Sequence, residues 1–199
     1  MFCCGTRGIL MRWWMLFSLA ALVPGLLDSQ GNAPLTGVVD LSGQAVDLFH
    51  RTSAKVVVLV FVRTDCPISN RYAPTIEEIS EKYKDGAEFY LVYPVKSETT
   101  EQIKKHVKEY GYSLRVLRDP AYTLVKRAET MVTPEAAVFS AGGKLLYHGR
   151  INNWYAEFGK SRRAPTTQEL ADAVAAAIAG KPLAVGSEAA VGCFLPDRP

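Results

Sequence analysis

From residue 56 onward, the pattern of apolar and polar positions predicts strands that alternate with amphipathic helices. An unbroken apolar run at residues 56–62 is typical of a strand that is buried on both faces. Ile76, Ile79 and Tyr83 follow at helical spacing and predict a helix directly after that strand. The same criteria predict further strands at 88–94, 114–117, 135–139 and 144–150, and helices at 98–110, 121–129 and 167–179.

The order of these elements predicts a single α/β domain. Strand and helix alternate first, and a hairpin and a last helix follow, which favours a three-layer α/β/α sandwich with a central mixed sheet. The crossovers make part of the sheet parallel, and the terminal hairpin makes part of it antiparallel. Ahead of this domain, residues 36–48 hold two short apolar segments around Ser-Gly-Gln, which indicates a small hairpin.

The N-terminal region differs in composition from the rest of the chain. Arg7 and Arg12 precede an uncharged apolar run at 13–27, which is the pattern of a secretory signal peptide. The run is shorter than the ~20 residues of a usual spanning helix, and an uncleaved signal anchor is the alternative. We therefore assign residues 1–31 to a signal peptide or signal anchor. The protein is expected to be exported, to a periplasmic or extracellular location, with the membrane contacted only through an uncleaved anchor.

Charge and cysteine content limit the kinds of function that the sequence supports. The net charge of +3 over 199 residues is too small to indicate a nucleic-acid partner. Residues 32–182 are long enough for one domain, and residues 183–199 form an extended tail. Outside the signal segment the cysteines are Cys66 and Cys193. In an oxidising compartment they could form a structural bridge, a catalytic pair or no bridge.

Cys66 lies where the central strand gives way to a helix. Backbone N–H groups are unpaired there and the helix dipole is positive, so a thiolate is stabilised and its pKa lowered. Pro67 suits the first helical turn. The residues alone leave a second reading open, in which Cys66 is only a small buried hydrophobe. Asp65 raises a thiol pKa, whereas Arg63 and Arg71 lower it.

Three features of the sequence resemble the thioredoxin fold. These are the order of elements, the eight-residue spacing from Cys66 to Pro74, and the segment Val132-Thr133-Pro134 ahead of the hairpin. In that family a proline kinks the first helix, and a cis-proline loop lies against the active-site cysteine. Over residues 34–182, including the stretch 65–74, the chain is similar to exported bacterial redoxin-domain proteins. These belong to the alkyl hydroperoxide reductase/thiol-specific antioxidant group of the thioredoxin-like superfamily.

The chain departs from that family at three positions. Ser69 stands where a thioredoxin has its second cysteine, and Arg63 stands where a peroxiredoxin has Thr or Ser. Val60 replaces the buried Asp that assists proton transfer in thioredoxins. A Cys-x-x-Cys dithiol cycle therefore cannot take place at Cys66 alone.

The resemblance implies a thiol–disulfide oxidoreductase with Cys66 as nucleophile. Thr133 and Pro134 would form the cis-proline loop beside it, with a cis Thr133–Pro134 peptide. Cys193, on the tail, is the candidate resolving cysteine. Ser69 either donates a hydrogen bond to the thiolate or caps the helix, and capping is the slightly favoured role. The expected partners are protein or small-molecule disulfides, or peroxides, together with an external thiol reductant.

Two other functions remain open at this stage. A peroxidase would pass through a sulfenic acid at Cys66 and would need a nearby cation. The candidate cations are Arg63, Arg71, Arg118 and Arg150.

A non-catalytic protein would instead use the fold to bind a partner or Cu(I), with Cys66, Cys193 and His148 as possible ligands. The sequence holds no Cys/His cluster at metal-ligand spacing, so we predict neither a metal nor a cofactor. His106 is expected to lie on the solvated face of its helix, and His50 is also expected at the surface.

Overall fold

The computed structural model describes residues 35–49, 52–183 and 189–196. The predicted signal segment at 1–31 and His50 lie outside these ranges. Within them, no helix combines the length and the apolar character that crossing a membrane requires.

The fold contains ten strands and four helices in the described ranges. The strands are β1 (Val39–Asp40), β2 (Val56–Phe61), β3 (Ala87–Tyr93), β4 (Arg115–Arg118), β5 (Val132–Thr133), β6 (Glu135–Ser140), β7 (Leu145–Gly149), β8 (Tyr155–Glu157), β9 (Lys160–Ser161) and β10 (Cys193–Phe194). The helices are α1 (Pro67–Tyr83), α2 (Thr100–Glu109), α3 (Thr123–Arg127) and α4 (Glu169–Ile178).

Six strands form the central sheet, in the order β1-β4-β3-β2-β6-β7. β2, β3 and β4 are parallel neighbours, and α1 and α2 supply the two crossovers. β6 runs antiparallel to both β2 and β7, and β1 runs antiparallel to β4. The prediction of an α/β fold with a mixed sheet is confirmed.

β2 lies at the centre because both of its faces are covered by other elements. Val58 and Val60 belong to one apolar cluster, which includes residues of α1, α2 and α4. Val57 and Leu59 belong to a second cluster on the opposite face, together with residues of α3. A strand buried on both faces must be apolar at every position, which accounts for the uninterrupted run that predicted it.

Three segments differ from the sequence prediction. Val39 bridges Ala45 as a small turn would require, but β1 also extends the central sheet by pairing with β4. Residues 152–166, for which the sequence pattern predicted neither a strand nor a helix, contain the β8–β9 hairpin. The tail was expected to lack regular structure, and this was wrong for β10, which pairs with β5. Such pairing joins residues far apart in sequence, so local patterns do not reveal it.

Asp119 caps the short helix α3 from a buried position. Its carboxylate accepts hydrogen bonds from the backbone N–H groups of Thr123 at 2.8 Å, Leu124 at 2.9 Å and Val125 at 3.0 Å. Burial raises the pKa of Asp119 to about 6, and the three hydrogen bonds act in the opposite direction. One side chain thus satisfies the N–H groups that a helix of this length leaves unpaired.

We predict that Asp119→Ala lowers the free energy of unfolding by about 2–4 kcal/mol, because three N–H groups lose their acceptor. Urea unfolding followed by circular dichroism measures this loss. Asp85→Ala, in the exposed turn after α1, is the matched control and should change stability by less than about 0.5 kcal/mol. Similar losses in the two variants would show that the hydrogen bonds of Asp119 do not stabilise the fold more than an exposed aspartate does.

Candidate active site around Cys66 and Cys193

Cys66 occupies the N-cap position of α1, a few residues after β2 ends. Its backbone is extended, with φ −92° and ψ 107°, and Pro67 follows as the first helical residue. The Cys66 sulfur accepts a hydrogen bond from the backbone N–H of Ser69 at 3.5 Å. The side chain is fully buried, with an exposed fraction of 0%. The sulfur therefore lies in the positive field of a helix N-terminus and away from water.

The loop before β6 lies against Cys66, as predicted. The Thr133–Pro134 peptide is cis, and the Thr133 carbonyl oxygen lies 3.1 Å from the Cys66 sulfur. The Glu135 carboxylate accepts hydrogen bonds from the backbone N–H groups of Met131 at 2.9 Å and Val132 at 3.3 Å. These contacts fix the loop that forms one wall of the site.

The structure brings Cys193 to Cys66, although 127 positions separate them in sequence. Cys193 pairs with Thr133 in the β10–β5 ladder, directly beside the cis-proline loop. Its sulfur lies 2.6 Å from that of Cys66, and both are free cysteines. This separation is longer than the ~2.05 Å of a disulfide bond. The two sulfurs are thus in direct contact, with no bond between them in the structure.

The surroundings shift the two thiol pKa values in opposite directions. Burial raises the pKa of Cys66, but hydrogen bonds from Cys193, Ser69 and Thr133 outweigh it, and the net pKa lies below the ordinary value. For Cys193, burial and the contact with Cys66 both raise the pKa, to about 12. Of the two thiols, Cys66 is therefore the one that loses its proton more readily.

The end of the tail is held in place by several contacts. The Leu195 N–H donates to the Met131 carbonyl at 3.3 Å, and Arg63 Nη1 donates to the Phe194 carbonyl at 2.9 Å. The Tyr122 hydroxyl donates to the Pro196 carbonyl at 2.5 Å. Leu195 is 7% exposed and packs in the apolar cluster that includes α3. Residues 192–196, which we name the tail strand, thus cover Cys66.

Ser69 does not cap α1, and the favoured sequence prediction was wrong on this point. Cys66 itself is the N-cap, because Ser69 lies within the first turn of the helix. The Ser69 side chain is fully buried, and its hydroxyl has no hydrogen-bond partner of ordinary geometry in the described part of the chain. Together with its backbone N–H, that hydroxyl lowers the pKa of Cys66. Ser69 therefore belongs to the surroundings of the thiolate.

The arginines considered as partners of the thiolate contact other groups. Arg63 pairs with Asp65 at 2.8 Å as well as with the tail strand. Arg118 donates to the Glu98 carbonyl at 2.7 Å, and the Arg71 guanidinium lies 5.1 Å from the centre of the Trp154 ring. Arg150 forms an ion pair with Glu169.

His106 is buried, which corrects the prediction that it lies on a solvated face. One ring nitrogen, Nε2, lies 2.8 Å from the Asn70 side-chain oxygen, and the other, Nδ1, lies 2.8 Å from the Tyr93 hydroxyl. Burial lowers the pKa of His106. Its spacing of three residues from Ile103 on the inward face was a signal that could have placed it inside.

Glu98 is a second buried group that sequence reasoning missed. Its carboxylate accepts a hydrogen bond from the Thr64 N–H at 2.6 Å, and burial raises the pKa of Glu98. Asn70, which contacts His106, also donates to the Thr64 carbonyl at 3.5 Å. The backbone N–H and C=O groups of Thr64, two residues before Cys66, are therefore both hydrogen-bonded to side chains. No local sequence pattern distinguishes Glu98 from an ordinary acidic residue ahead of a helix.

His148 contacts two carboxylates. Its ring nitrogens lie 3.8 Å from Glu129 and 3.8 Å from Glu135. In the ranges that the structure describes, no group of three or more histidine, cysteine or acidic side chains has the arrangement of a metal site.

Comparison with solved structures gives relatives of the same fold. A conserved protein of Geobacillus kaustophilus is 20% identical, with a TM-score of 0.69, over 82% of this chain and 88% of its own. A hypothetical protein of Sinorhizobium meliloti 1021 is 20% identical, with a TM-score of 0.66, over 79% and 87%. The exposed lipoprotein thioredoxin Etrx1 of Streptococcus pneumoniae is 21% identical, with a TM-score of 0.52, over 72% and 96%. The fold is thus thioredoxin-like.

No curated protein gives a significant match to the sequence. The family model for Redoxin matches residues 29–154, more than half of the chain. The matched segment contains Cys66 and the cis-proline loop, and Cys193 lies beyond it. The sequence match and the thioredoxin-like fold lead to one assignment: this chain belongs to the Redoxin family.

Proposed function

We propose that the protein is a thiol–disulfide oxidoreductase in which Cys66 attacks the substrate and Cys193 resolves the mixed disulfide. The observation that supports this most directly is the pair of sulfurs 2.6 Å apart, with the pKa of Cys66 lowered and that of Cys193 raised to about 12. A pair arranged in this way supplies both thiols of a disulfide-exchange cycle although Ser69 replaces the usual second cysteine.

The cycle begins when the Cys66 thiolate attacks one sulfur of a substrate disulfide. A bond forms between that sulfur and Cys66, the substrate S–S bond breaks, and its electron pair leaves with the other substrate sulfur as a thiolate. Cys193 then loses its proton and attacks the Cys66 sulfur, which releases the second substrate thiolate. The substrate has gained two electrons and the protein holds a Cys66–Cys193 disulfide. An external thiol reductant returns that disulfide to two thiols.

The charge on Cys66 keeps Cys193 inactive until it is needed. Contact with Cys66 is one of the causes that raise the pKa of Cys193. Once Cys66 is bonded to substrate, its sulfur is neutral, and that contribution to the pKa of Cys193 disappears. Cys193 then deprotonates more easily, at the stage where it must act as a nucleophile.

Disulfide exchange is better supported than peroxide reduction at this site. A peroxidase needs a cation directed at the thiolate and the peroxide. The four arginines in question contact carboxylates, carbonyl oxygens or an aromatic ring. The opposed pKa shifts favour a catalytic role over a purely binding one, because disulfide exchange needs one readily ionised thiol to attack and a second, protonated thiol to follow.

We also propose that the protein is exported and acts on disulfides outside the cytoplasm. The support is the basic and then apolar N-terminal sequence at 7–27. In that setting an external thiol must supply electrons for the reducing direction, and protein or small-molecule disulfides would accept them.

We predict that Cys66→Ser abolishes reduction of a disulfide substrate, because a hydroxyl does not form a thiolate-type nucleophile. Ser69→Ala should retain activity within about tenfold of the wild type, because its hydroxyl only adjusts the pKa of Cys66. Both are measured as turnover of an insulin disulfide with a thiol reductant. Equal loss in the two variants would place Ser69 in the chemistry itself.

The pKa difference between the thiols is measured by the ultraviolet absorbance of thiolate during a pH titration of the reduced protein. The Cys66 step should fall below the pH of a free thiol, at ~8.5. Cys193→Ala should move that step to higher pH, because the thiolate loses a hydrogen-bond donor. Cys66→Ser, the control, should lack the low-pH step. A Cys66 step that does not move in Cys193→Ala would exclude Cys193 as the donor.

Oxidation of the mature protein should produce an intramolecular Cys66–Cys193 disulfide, since the sulfurs already face each other. Mass spectrometry of the proteolysed, non-reduced protein identifies the linked peptides directly. If Cys193 stays open to alkylation while Cys66 is oxidised, Cys193 does not resolve and an external thiol completes the cycle.

A further inference from the structure

We propose that the tail strand occupies the binding site of an extended polypeptide substrate, and that this site selects a cysteine preceded by glycine and followed, two positions later, by an apolar residue. The inference rests on the proposed function, because it names the substrate class of the same Cys66. It makes protein disulfides, rather than small-molecule disulfides, the preferred substrates.

The proposed binding site is the hydrogen-bonding edge of β5, which lies beside Cys66. β5 pairs with β10 in a two-stranded antiparallel sheet, with Cys193 opposite Thr133 and Phe194 opposite Val132. When the tail strand leaves, the N–H and C=O groups on this edge lose their partners. A second extended chain can then restore the same hydrogen bonds, with its cysteine delivered to Cys66 in the same register.

Cys66 cannot be reached while the tail strand is in place. Its side chain is 0% exposed, and the Cys193 sulfur lies directly against its own. Any substrate sulfur must take the position that Cys193 holds. A polypeptide can replace the tail strand contact for contact, whereas a small disulfide recovers none of the backbone hydrogen bonds that the departing strand gives up.

The position before the cysteine has room only for glycine. A Cβ atom on Gly192 would lie 2.2 Å from the Thr133 carbonyl oxygen and 2.7 Å from the Thr133 carbonyl carbon. It would also lie 3.2 Å from the Pro134 nitrogen. All three are backbone atoms of the loop that Glu135 holds, so they cannot move aside as a flexible side chain would. A substrate in the same register meets the same obstacle.

The two positions after the cysteine impose different requirements. Phe194 is 75% exposed, so its side chain is not selected, while its carbonyl accepts the hydrogen bond from Arg63. Leu195 is 7% exposed within an apolar cluster, so this position requires an apolar side chain. Arg63, which replaces the Thr or Ser of peroxiredoxins, thereby gains a role in binding the backbone of a strand.

The surface upstream of the glycine position can accept more of a polypeptide. Val132 and Phe158 border residues 190–194 of the tail and belong to parts of the chain that do not leave with it. Phe158 is 70% exposed at the turn of the β8–β9 hairpin, and Met131 is 49% exposed next to β5. Exposed apolar side chains around a nucleophile suit the apolar segments that unfolded or partly folded proteins present.

The test uses two peptides that differ by one methyl group, Ala-Val-Gly-Cys-Phe-Leu and Ala-Val-Ala-Cys-Phe-Leu, each with its cysteine joined to a thiopyridyl group by a disulfide. The full-length reduced Cys193→Ala protein reacts with each peptide in a single turnover. The Cys66 thiolate bonds to the peptide sulfur and pyridine thiolate leaves, so its absorbance reports the rate. Dithiodipyridine is the small-molecule probe, and the reaction of each probe with free glutathione corrects for intrinsic reactivity.

We expect the glycine peptide to react at least about tenfold faster than the alanine peptide after this correction, because the backbone contact excludes a methyl group. It should also outpace dithiodipyridine. Equal corrected rates for the three probes would overturn the inference and leave the proposed function intact, since Cys66 would still exchange disulfides. If none of the probes reacted, the proposed function would fail as well.

A second variant tests whether the tail strand is the internal competitor. Gly192→Ala, added to Cys193→Ala, places the obstructing methyl group on the tail strand itself. The glycine peptide should then react faster than with Cys193→Ala alone, and its preference over the alanine peptide should persist. An unchanged rate would show that the tail strand does not compete for the site. Cys193→Ser in place of Cys193→Ala repeats the comparison with a polar group at the position of the sulfur.

Discussion

The site depends on the contact between two sulfurs, and that contact depends on where the chain places four segments. The end of β2 and the start of α1 position Cys66, the cis-proline loop forms the wall beside it, and β10 brings Cys193. Opposed pKa shifts follow from this geometry: hydrogen bonds to the Cys66 sulfur lower its pKa despite burial, whereas burial and the contact with Cys66 raise the pKa of Cys193. Burial alone would have raised both pKa values and left no nucleophile.

Buried carboxylates stabilise the two loops on which this contact relies. Glu98 holds the backbone before Cys66, and Glu135 holds the backbone before Pro134. Burial raises the pKa of both carboxyl groups, because it removes water from the charged form. Hydrogen bonds from backbone N–H groups act in the opposite direction and stabilise the carboxylates. The contact of His106 with Asn70 links α2 to the segment before Cys66, because Asn70 also donates to the Thr64 carbonyl. Polar groups in the interior thus fix the geometry that apolar packing leaves free.

The sequence was sufficient for the central elements but not for the contacts between distant segments. The strand at β2 was readable because burial on both faces requires apolar residues throughout. Cys66 and Pro134 were readable because a helix start and an X–Pro turn are local features. The docking of Cys193 on Thr133 could not be read, because strand pairing over 60 residues leaves no periodic trace. Ser69 was assigned to a cap because the capping preference of serine is strong, whereas Cys66 already filled that position.

The sulfurs of Cys66 and Cys193 lie on separate elements, so in the proposed cycle the stability of their disulfide depends on the docking of the tail. Each contact that holds residues 192–196 raises the effective concentration of Cys193 at Cys66. Each tenfold gain in that concentration favours the disulfide and lowers its reduction potential by about 30 mV. Because residues 192–196 lie outside the segment that the Redoxin model matches, sequence changes there can adjust that potential while the matched segment stays the same.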